Sequence, residues 1–587
     1  MAIPETLTGI IERYIEELAP QQLALLEVAS VCGVEFRFST VTRVLEGDAV
    51  SLAESCADLA RSQRWLRDRA PTQQHELRDV GYTFRHALYR EVLYGRLGRH
   101  ARVALHGKVA AALERERADG ANVSSAELAY HFELGREFVP ALRHYAEAAQ
   151  SALLHFSPAQ TIETTRHALT LLSEIAGTHA PSPMRGVGGM TPLLTENSRE
   201  HAALEMTLAT LQGTAAMQVH GFVASEGKLA FERALARLDE VPQHPLRGLF
   251  LSALGVVRFA RGDVDAACAV AQRSEAHAIA HEDETARVCA CLTHGLVERL
   301  HGRPRSARQW FEQGIQASEA VDAATARAVF VADAGVLISG FLALELLQLG
   351  LVEQGRTRLR AAQARALALR EPTPQMAALW LEAFFEVRLR NPERVADIAE
   401  RLRQLADDYA QPEGKAAHLW FRGWAEAHLG DPRRGYRLIR EGWEEGVRLG
   451  LRVDAGEILA YAAEALALAG DWPAARQQLD EAMQCADAVG ERKCLPELLL
   501  LDAEIADALG APQRALESIQ RAIEEARSQE AVWPELVGLS ARCKRPDADD
   551  DDLAALSVVV GRLTEGLDTV PVARARALLC RGAVALT

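Results

Sequence analysis

The sequence predicts an all-α protein, one small β-hairpin apart, in which a compact N-terminal region leads into a solenoid of stacked helical hairpins. Three regularities predict it. Short turns recur at intervals of about 40 residues, at Gly262, Gly302, Gly350, Asn391, Gly430, Gly470 and Gly510. Five residues after each turn stands a small residue: Ala267, Ala307, Gly355, Ala396, Gly435, Ala475 and Ala515. Seven residues before it stand Gly255, Gly295, Ala343, Gly423, Ala463 and Ala503, with Phe384 the exception. Twelve residues after it, Ser274, Gly314, Ala362, Gly442, Ala482 and Ala522 repeat the pattern, which fails only at Arg403.

Two antiparallel helices joined by a tight turn approach closely only where both offer small side chains, so small-turn-small spacing is what a stacked hairpin requires. The larger core position between the small ones holds Phe311, Leu359, Ile439, Leu479 and Ile519. In this spacing the chain resembles the tetratricopeptide repeat. A period of about 40, against the roughly 34 usual for that repeat, implies lengthened helices. The array is expected over 199–545.

At 587 residues the chain is too long for one ordinary core, and the solenoid accounts for its bulk. Sixty-five basic against 81 acidic residues leave a formal net charge of −16, which repels nucleic acid from the molecule as a whole. No uncharged apolar run reaches about 18 residues. Met1–Glu5 lacks the basic and apolar regions of a signal peptide. A cytoplasmic protein with no membrane partner is the expectation. The nine cysteines are scattered, so no disulfide framework is expected. Cys291 and His294 could share a helix face, but no second pair stands near them in sequence, and no metal is expected.

Residues 1–120 have a different texture. Short helical stretches around Ile10–Leu18, Gln21–Cys32 and Asp48–Ser62 give way to Trp65-Leu66 and Tyr82-Thr83-Phe84, which flank a polar stretch with Pro71, Gln73 and Gln74. That reads as a hairpin before helical spacing resumes at His86, and three helices with a hairpin make a winged helix. Between Arg61 and Lys108, eleven basic residues face four acidic ones, a local balance of 11 − 4 = +7. Such a face can dock on DNA phosphates or form an interdomain joint.

Farther along, 121–175 is expected as a first helical repeat unit and 176–198 as a flexible loop, since Pro181, Pro183, Gly186, Gly188, Gly189 and Pro192 cannot sustain a helix. The run Asp547–Asp552 reads as an acidic linker (546–552) before a last helical pair, 553–587.

The segments Ile3-Pro4-Glu5-Thr6-Leu7, Val31-Cys32-Gly33-Val34-Glu35-Phe36 and Tyr82-Thr83-Phe84-Arg85-His86-Ala87-Leu88 resemble the winged helix that follows the nucleotide-binding module in STAND-class signalling ATPases. Leu128-Ala129-Tyr130-His131-Phe132 and Leu419-Trp420-Phe421-Arg422-Gly423-Trp424 extend the resemblance. It covers nearly the whole chain, as the C-terminal half of large bacterial regulators. It implies a regulator whose array senses a protein or small ligand and whose winged helix relays this to an ATPase, with a class III nucleotide cyclase or a transcriptional domain as output. The chain departs from the family in having no GxxxxGK[ST] phosphate loop, and it starts where the ATPase is expected to end. A truncated remnant of such a regulator is therefore one alternative reading, and a DNA-binding transcriptional regulator is another.

No GxSxG, HExxH or paired CxxC occurs, so the chain is read as non-catalytic and without cofactor. Repeat arrays bind on the concave face lined by first helices. Counting back from the turns places Phe385, Arg388, Trp420 and Trp424 there on neighbouring repeats, with Glu464, Glu504 and Arg299 at related positions. Aromatics and arginine dominate interface energetics, although the same aromatics would equally fill spaces between repeats. Arg85, Arg90, Arg96, Arg99 and Arg102, with His86, are the candidates for the winged-helix interface or DNA. The family resemblance puts His86 near a bound nucleotide, and a structural place at the hairpin-to-helix junction is the alternative. The expected partner is a protein, an ATPase or cyclase in trans among the candidates, and nucleic acid is the rival.

Overall fold

A computed structural model describes residues 5–69, 81–155, 157–178, 194–221, 225–321, 333–409 and 411–585. Among these are twenty-eight α-helices and three short strands. The chain divides into two compact units, one running to His155 and including Gln160–Leu204, the other from Glu205 onward.

In the first unit, strands β1 (Glu35–Arg37), β2 (Leu66–Arg69) and β3 (Gly81–Phe84) form an antiparallel sheet in the order β1-β3-β2. Leu66 pairs with Phe84 and Glu35 with Thr83. The strand at Glu35–Arg37 was not anticipated; three residues are too short to carry a period. Trp65, Leu66, Phe36, Tyr82 and Phe84 bury their side chains with Leu25, Leu26, Leu52 and Leu59 of the preceding helices. Asp48 caps the helix Ala49–Arg61 by accepting from Ser51 N at 2.9 Å, which supplies one of the N–H partners a helix start lacks. The polar residues expected at the hairpin tip (Pro71, Gln73, Gln74) lie outside the described residues.

The second unit is a tetratricopeptide-like α-solenoid. Its intra-repeat turns share one grammar: a left-handed residue ends the first helix, the next residue is the N-cap, and often a proline follows. Asp431 accepts from Arg434 N at 3.0 Å, with Pro432 opening the helix Pro432–Leu449. Asn391 caps Pro392–Asp408 in the same way. In that fourth turn the left-handed residue is Arg390, at φ 59°, and not Asn391. Counting from Arg390 removes one exception in the sequence pattern, at seven before the turn, while five and twelve after it then stand the larger Val395 and Leu402. The position seven before becomes Ala383, and the position twelve after becomes Leu402, both buried, so Phe384 and Arg403 are displaced by one. The small positions do close the hairpins. A Cβ on Gly423 would stand 2.6 Å from Gly435 O, and one on Gly435 2.4 Å from Gly423 O.

Two segment expectations change. The acidic run is half helix: Asp549 caps Asp550–Arg562 and the other three aspartates fill its first turn, where the helix dipole favours negative charge. The segment 176–198 is helical at both edges, since one helix runs to Thr178 and the next begins at Leu194; its centre lies outside the described residues.

The solenoid winds tightly enough to touch itself. Arg452 N donates to Ala260 O at 2.9 Å and Arg492 N to Leu300 O at 2.8 Å, in both cases 192 positions apart (260 to 452, 300 to 492). Gln411 Nε2 reaches Gln218 O at 3.2 Å across 193 positions. Inter-repeat loops of the later coil thus rest on intra-repeat turns of the earlier one. A Cβ on Gly262 would lie 2.9 Å from Val489 Cγ1, and one on Gly350 2.7 Å from Leu563. At Gly430, Gly470 and Gly510 it would meet nothing within 4 Å.

Candidate functional site: a buried charge cluster between coils

The first helices of the repeats are strongly apolar, and their few charges converge. Arg299 closes Glu284–Leu300, Glu345 interrupts the otherwise uncharged Ala334–Gln348, and Arg388 ends Pro372–Arg388. From the later coil come Asp454 and Glu457 at the start of Ala455–Leu468, and Glu491 and Lys493 in the loop before Leu495–Ala508. Side chains from repeats far apart in sequence meet here. All are buried.

Lys493 Nζ lies 3.0 Å from Asp454, 2.5 Å from Glu457 and 2.8 Å from Glu491. Arg299 bridges the coils, 3.2 Å from Glu345 and 3.4 Å from Asp454. Arg388 pairs with Glu457 at 2.8 Å, and Glu457 also accepts from the Tyr461 hydroxyl at 2.8 Å. Asp454, Glu457 and Glu491 present oxygens within 4.8 Å of one another, a spacing suited to a metal ion. The Lys493 ammonium stands among them, so the chain supplies its own cation.

Five carboxyls, counting Glu497 beside Arg388, face three cations here. Burial would raise every carboxyl, but Lys493 with Arg299 outweighs it at Asp454, and Arg388 with Lys493 outweighs it at Glu457, holding both low. At Glu345 burial wins against Arg299, Arg388 and Lys493 and pushes the carboxyl up to about 7. Burial likewise raises Glu497.

A wetter group adjoins it. Glu464, one helix face along from Glu457 and Tyr461, pairs with Arg390, accepts from Trp424 Nε1 at 3.0 Å and lies 3.5 Å from His428 Nε2. Burial opposes ionisation of Glu464, but Arg390 and His428 overcome it and hold the carboxyl low. Glu504 is exposed at its surface, yet desolvation and the neighbouring Glu464 raise it.

The aromatic groove expected at Phe385, Trp420 and Trp424 is not a surface; all three are buried, at 0%, 3% and 1% exposure. Phe385 fills the hairpin opposite Gly355, and Trp420 covers Gly442 and Gly446. Trp424 meets the inner face through its indole N–H and through ring contacts with His428 and Tyr461. Arg388 is at the inner face but enclosed. Helical spacing identifies the inward direction but not that neighbouring helices enclose these side chains. Asp454, Glu457, Glu491, Lys493 and Glu345 were missed by the sequence reading. The available signal was the lone Glu345 in Ala334–Gln348 and the pair Glu457 and Glu464 in the otherwise uncharged Ala455–Leu468.

In the first unit, Arg85, His86, Arg96 and Arg99 are exposed. His86 is the N-cap residue of Ala87–Arg96, with its ring edge-on to Tyr89. Arg90 and Arg102 are committed internally: both stack on the Tyr94 ring, at 5.1 and 4.7 Å, and donate to Ser30 O and Gly95 O. Tyr94 bonds His106 Nε2 at 2.9 Å, and His106 Nδ1 lies 3.0 Å from His131 Nδ1. Burial lowers the two imidazoles to about 4 and about 3, so the pair is neutral at pH 7. Among the described residues no helix is long and apolar enough to cross a membrane.

No family model matches the chain. It is 23% identical over 571 residues to an uncharacterized protein of Rhizobium meliloti (strain 1021), covering 94% of this chain and 50% of that one. The chain thus spans half the length of this relative. Among solved structures it is similar to a Rap protein complexed with Competence and Sporulation Factor, at 12% identity, TM-score 0.45 and coverage of 67% and 99%. It is also similar to a Signal Transduction ATPase with Numerous Domains (STAND) protein with a tetratricopeptide repeat sensor from Pyrococcus horikoshii, at 11% identity, TM-score 0.40 and coverage of 83% and 66%. At these scores the likenesses carry no functional argument. The class the fold itself defines is a tetratricopeptide-like helical-repeat protein.

Proposed function

We propose that the chain is a non-catalytic regulatory protein whose repeat array binds a protein or small ligand and whose N-terminal unit, read as a winged helix, relays binding to an ATPase or cyclase output. The supporting observation is the charge cluster between coils. Its cations and carboxylates are engaged with one another, which suits a device holding parts of an array together better than one that turns over a substrate. A ligand biases such an array only by binding one winding state more tightly than the other. The entry point is the wetter group at Arg390, Glu464 and Glu504, because the aromatics at Phe385 and Trp420 are enclosed. The test is a pull-down of the intact chain from soluble lysate beside an Arg390→Glu, Glu504→Lys variant. An ATPase or cyclase retained by the first and lost from the second supports the reading; retention indifferent to the substitutions, or none, sinks it.

DNA binding is the second reading, favoured by the exposure of Arg85, Arg96 and Arg99 in a basic stretch. It requires duplex affinity that falls with salt at a log–log slope of about −0.9 per phosphate contacted. A flat response in fluorescence anisotropy eliminates it.

A further inference from the structure

We propose that the cluster around Arg299 and Lys493 is a clasp between successive coils, and that the array opens at this joint, as a unit, without unfolding its hairpins. The clasp is a property of the free chain and stands whether or not the partner proposed above exists.

Different forces hold the different contacts of the array. Within a repeat, two helices of 14 to 18 residues pack along their length through glycine and alanine, as at Gly423 and Gly435. Neighbouring repeats share an apolar core that runs through Phe311, Phe341, Phe384, Phe421 and Leu459. The joint between coils has another composition. Four loop amides, Arg452, Val453, Arg492 and Lys493, reach two carbonyls, Ala260 O and Leu300 O. Arg299 spans to Asp454, and Arg388 reaches Glu457 two repeats on. The joint therefore carries polar bridges that the hairpins lack, beside apolar contacts where Val489 meets Gly262 and Leu563 meets Gly350.

Polar joints and apolar cores respond differently to perturbation. A buried ion pair carries a desolvation penalty that nearly offsets its attraction, so removing one partner leaves a charge with no compensation and turns the contact unfavourable. On opening, every charge in the cluster regains water, and the two carbonyls at Ala260 and Leu300 do the same. The cost of opening is thus refunded in hydration, as it is not for an apolar core. Segments held by solvent-replaceable hydrogen bonds are among those that open sub-globally. Arg299 is the pivotal residue: it is the coil-one cation that touches a coil-two carboxylate beside the loop amides, and it sits next to Leu300, whose carbonyl receives two of them.

Hydrogen exchange with mass spectrometry on the full chain tests this. In the native chain, peptides covering 450–455 and 490–496 should lose protection together, at urea concentrations where peptides from Pro412–Leu429 and Pro432–Leu449 remain protected. In an Arg299→Gln variant, which leaves the Asp454 carboxylate without this partner, exchange at both loops should accelerate about tenfold or more with helical circular dichroism unchanged. Loops that exchange only with the hairpins, in either experiment, would overturn the clasp, as would two loops that open independently. The native-chain measurement decides the matter even where the variant fails to fold.

Discussion

The turns at Gly262, Gly302 and Gly350 and those at Gly430, Gly470 and Gly510 have the same left-handed backbone and the same local spacing, yet opposite surroundings. The first three lie under a later coil. The last three are open, and beside them Leu429, Leu468 and Leu509 are about half exposed, at 52%, 47% and 47%, whereas Leu300 is fully covered. Local chemistry makes the hairpin; its position along the superhelix decides whether the hairpin end is a joint or a surface.

The largest expected effect comes from the joint's charges. Lys493→Met leaves Glu491 without its cation, and Asp454 and Glu457 with only Arg299 and Arg388, and should cost about 3–5 kcal/mol, read as a lowered urea midpoint of the array. A midpoint within error of the parent would mean that water or another group replaces the ammonium.

Titration should separate the joint from the open edge next. The Glu345 carboxyl is raised from 4.5 to about 7 in the folded chain, so the folded state holds a proton there that the unfolded state releases. Stability from this group is therefore fullest below pH 4.5 and falls as pH rises to about 7. Glu497 acts in the same direction. Loop exchange at 490–496 should quicken over that window, and Glu345→Gln should flatten the response. An unaltered slope in the variant would assign the proton elsewhere.

Glycine substitutions sharpen the comparison itself. Alanine at either Gly262 or Gly470 bears a left-handed cost of about 1–2 kcal/mol. Only Gly262→Ala also meets Val489 and Arg452, so it should be the more destabilising of the two by thermal melting; equality would mean the coils part easily. The smallest effect belongs to the open edge, where Leu468→Lys should change stability by no more than about 0.5 kcal/mol. A large loss there would reveal a partner seated on the edge.

Much of the repeat architecture was readable because hairpin packing is local: a glycine seven before a turn and another five after it must face each other whatever the rest of the chain does. The same locality explains the one-residue slip at Arg390. A left-handed arginine leaves no mark in the sequence, and Asn391 looked like the turn former when it was the cap. The inner face was half legible. Arg299, Arg388, Glu464 and Trp424 were placed inward by period alone, but burial of Phe385 and Trp420 depends on helix contacts finer than a six-residue count. Lys493 was invisible for a different reason. It sits in a loop, where no period applies, and its carboxylate partners are gathered by coiling across distances that sequence spacing does not encode.

The separation of 192 residues between contacting coils has a consequence for length. In an ordinary solenoid each unit touches only its neighbours, so a unit gained or lost shortens the rod and changes little else. Here Arg452 must reach Ala260 and Arg492 must reach Leu300. Deleting a hairpin between them would offer each turn the wrong loop, and Arg299 the wrong carboxylate. The number of repeats in this stretch is fixed by the pitch of its own winding.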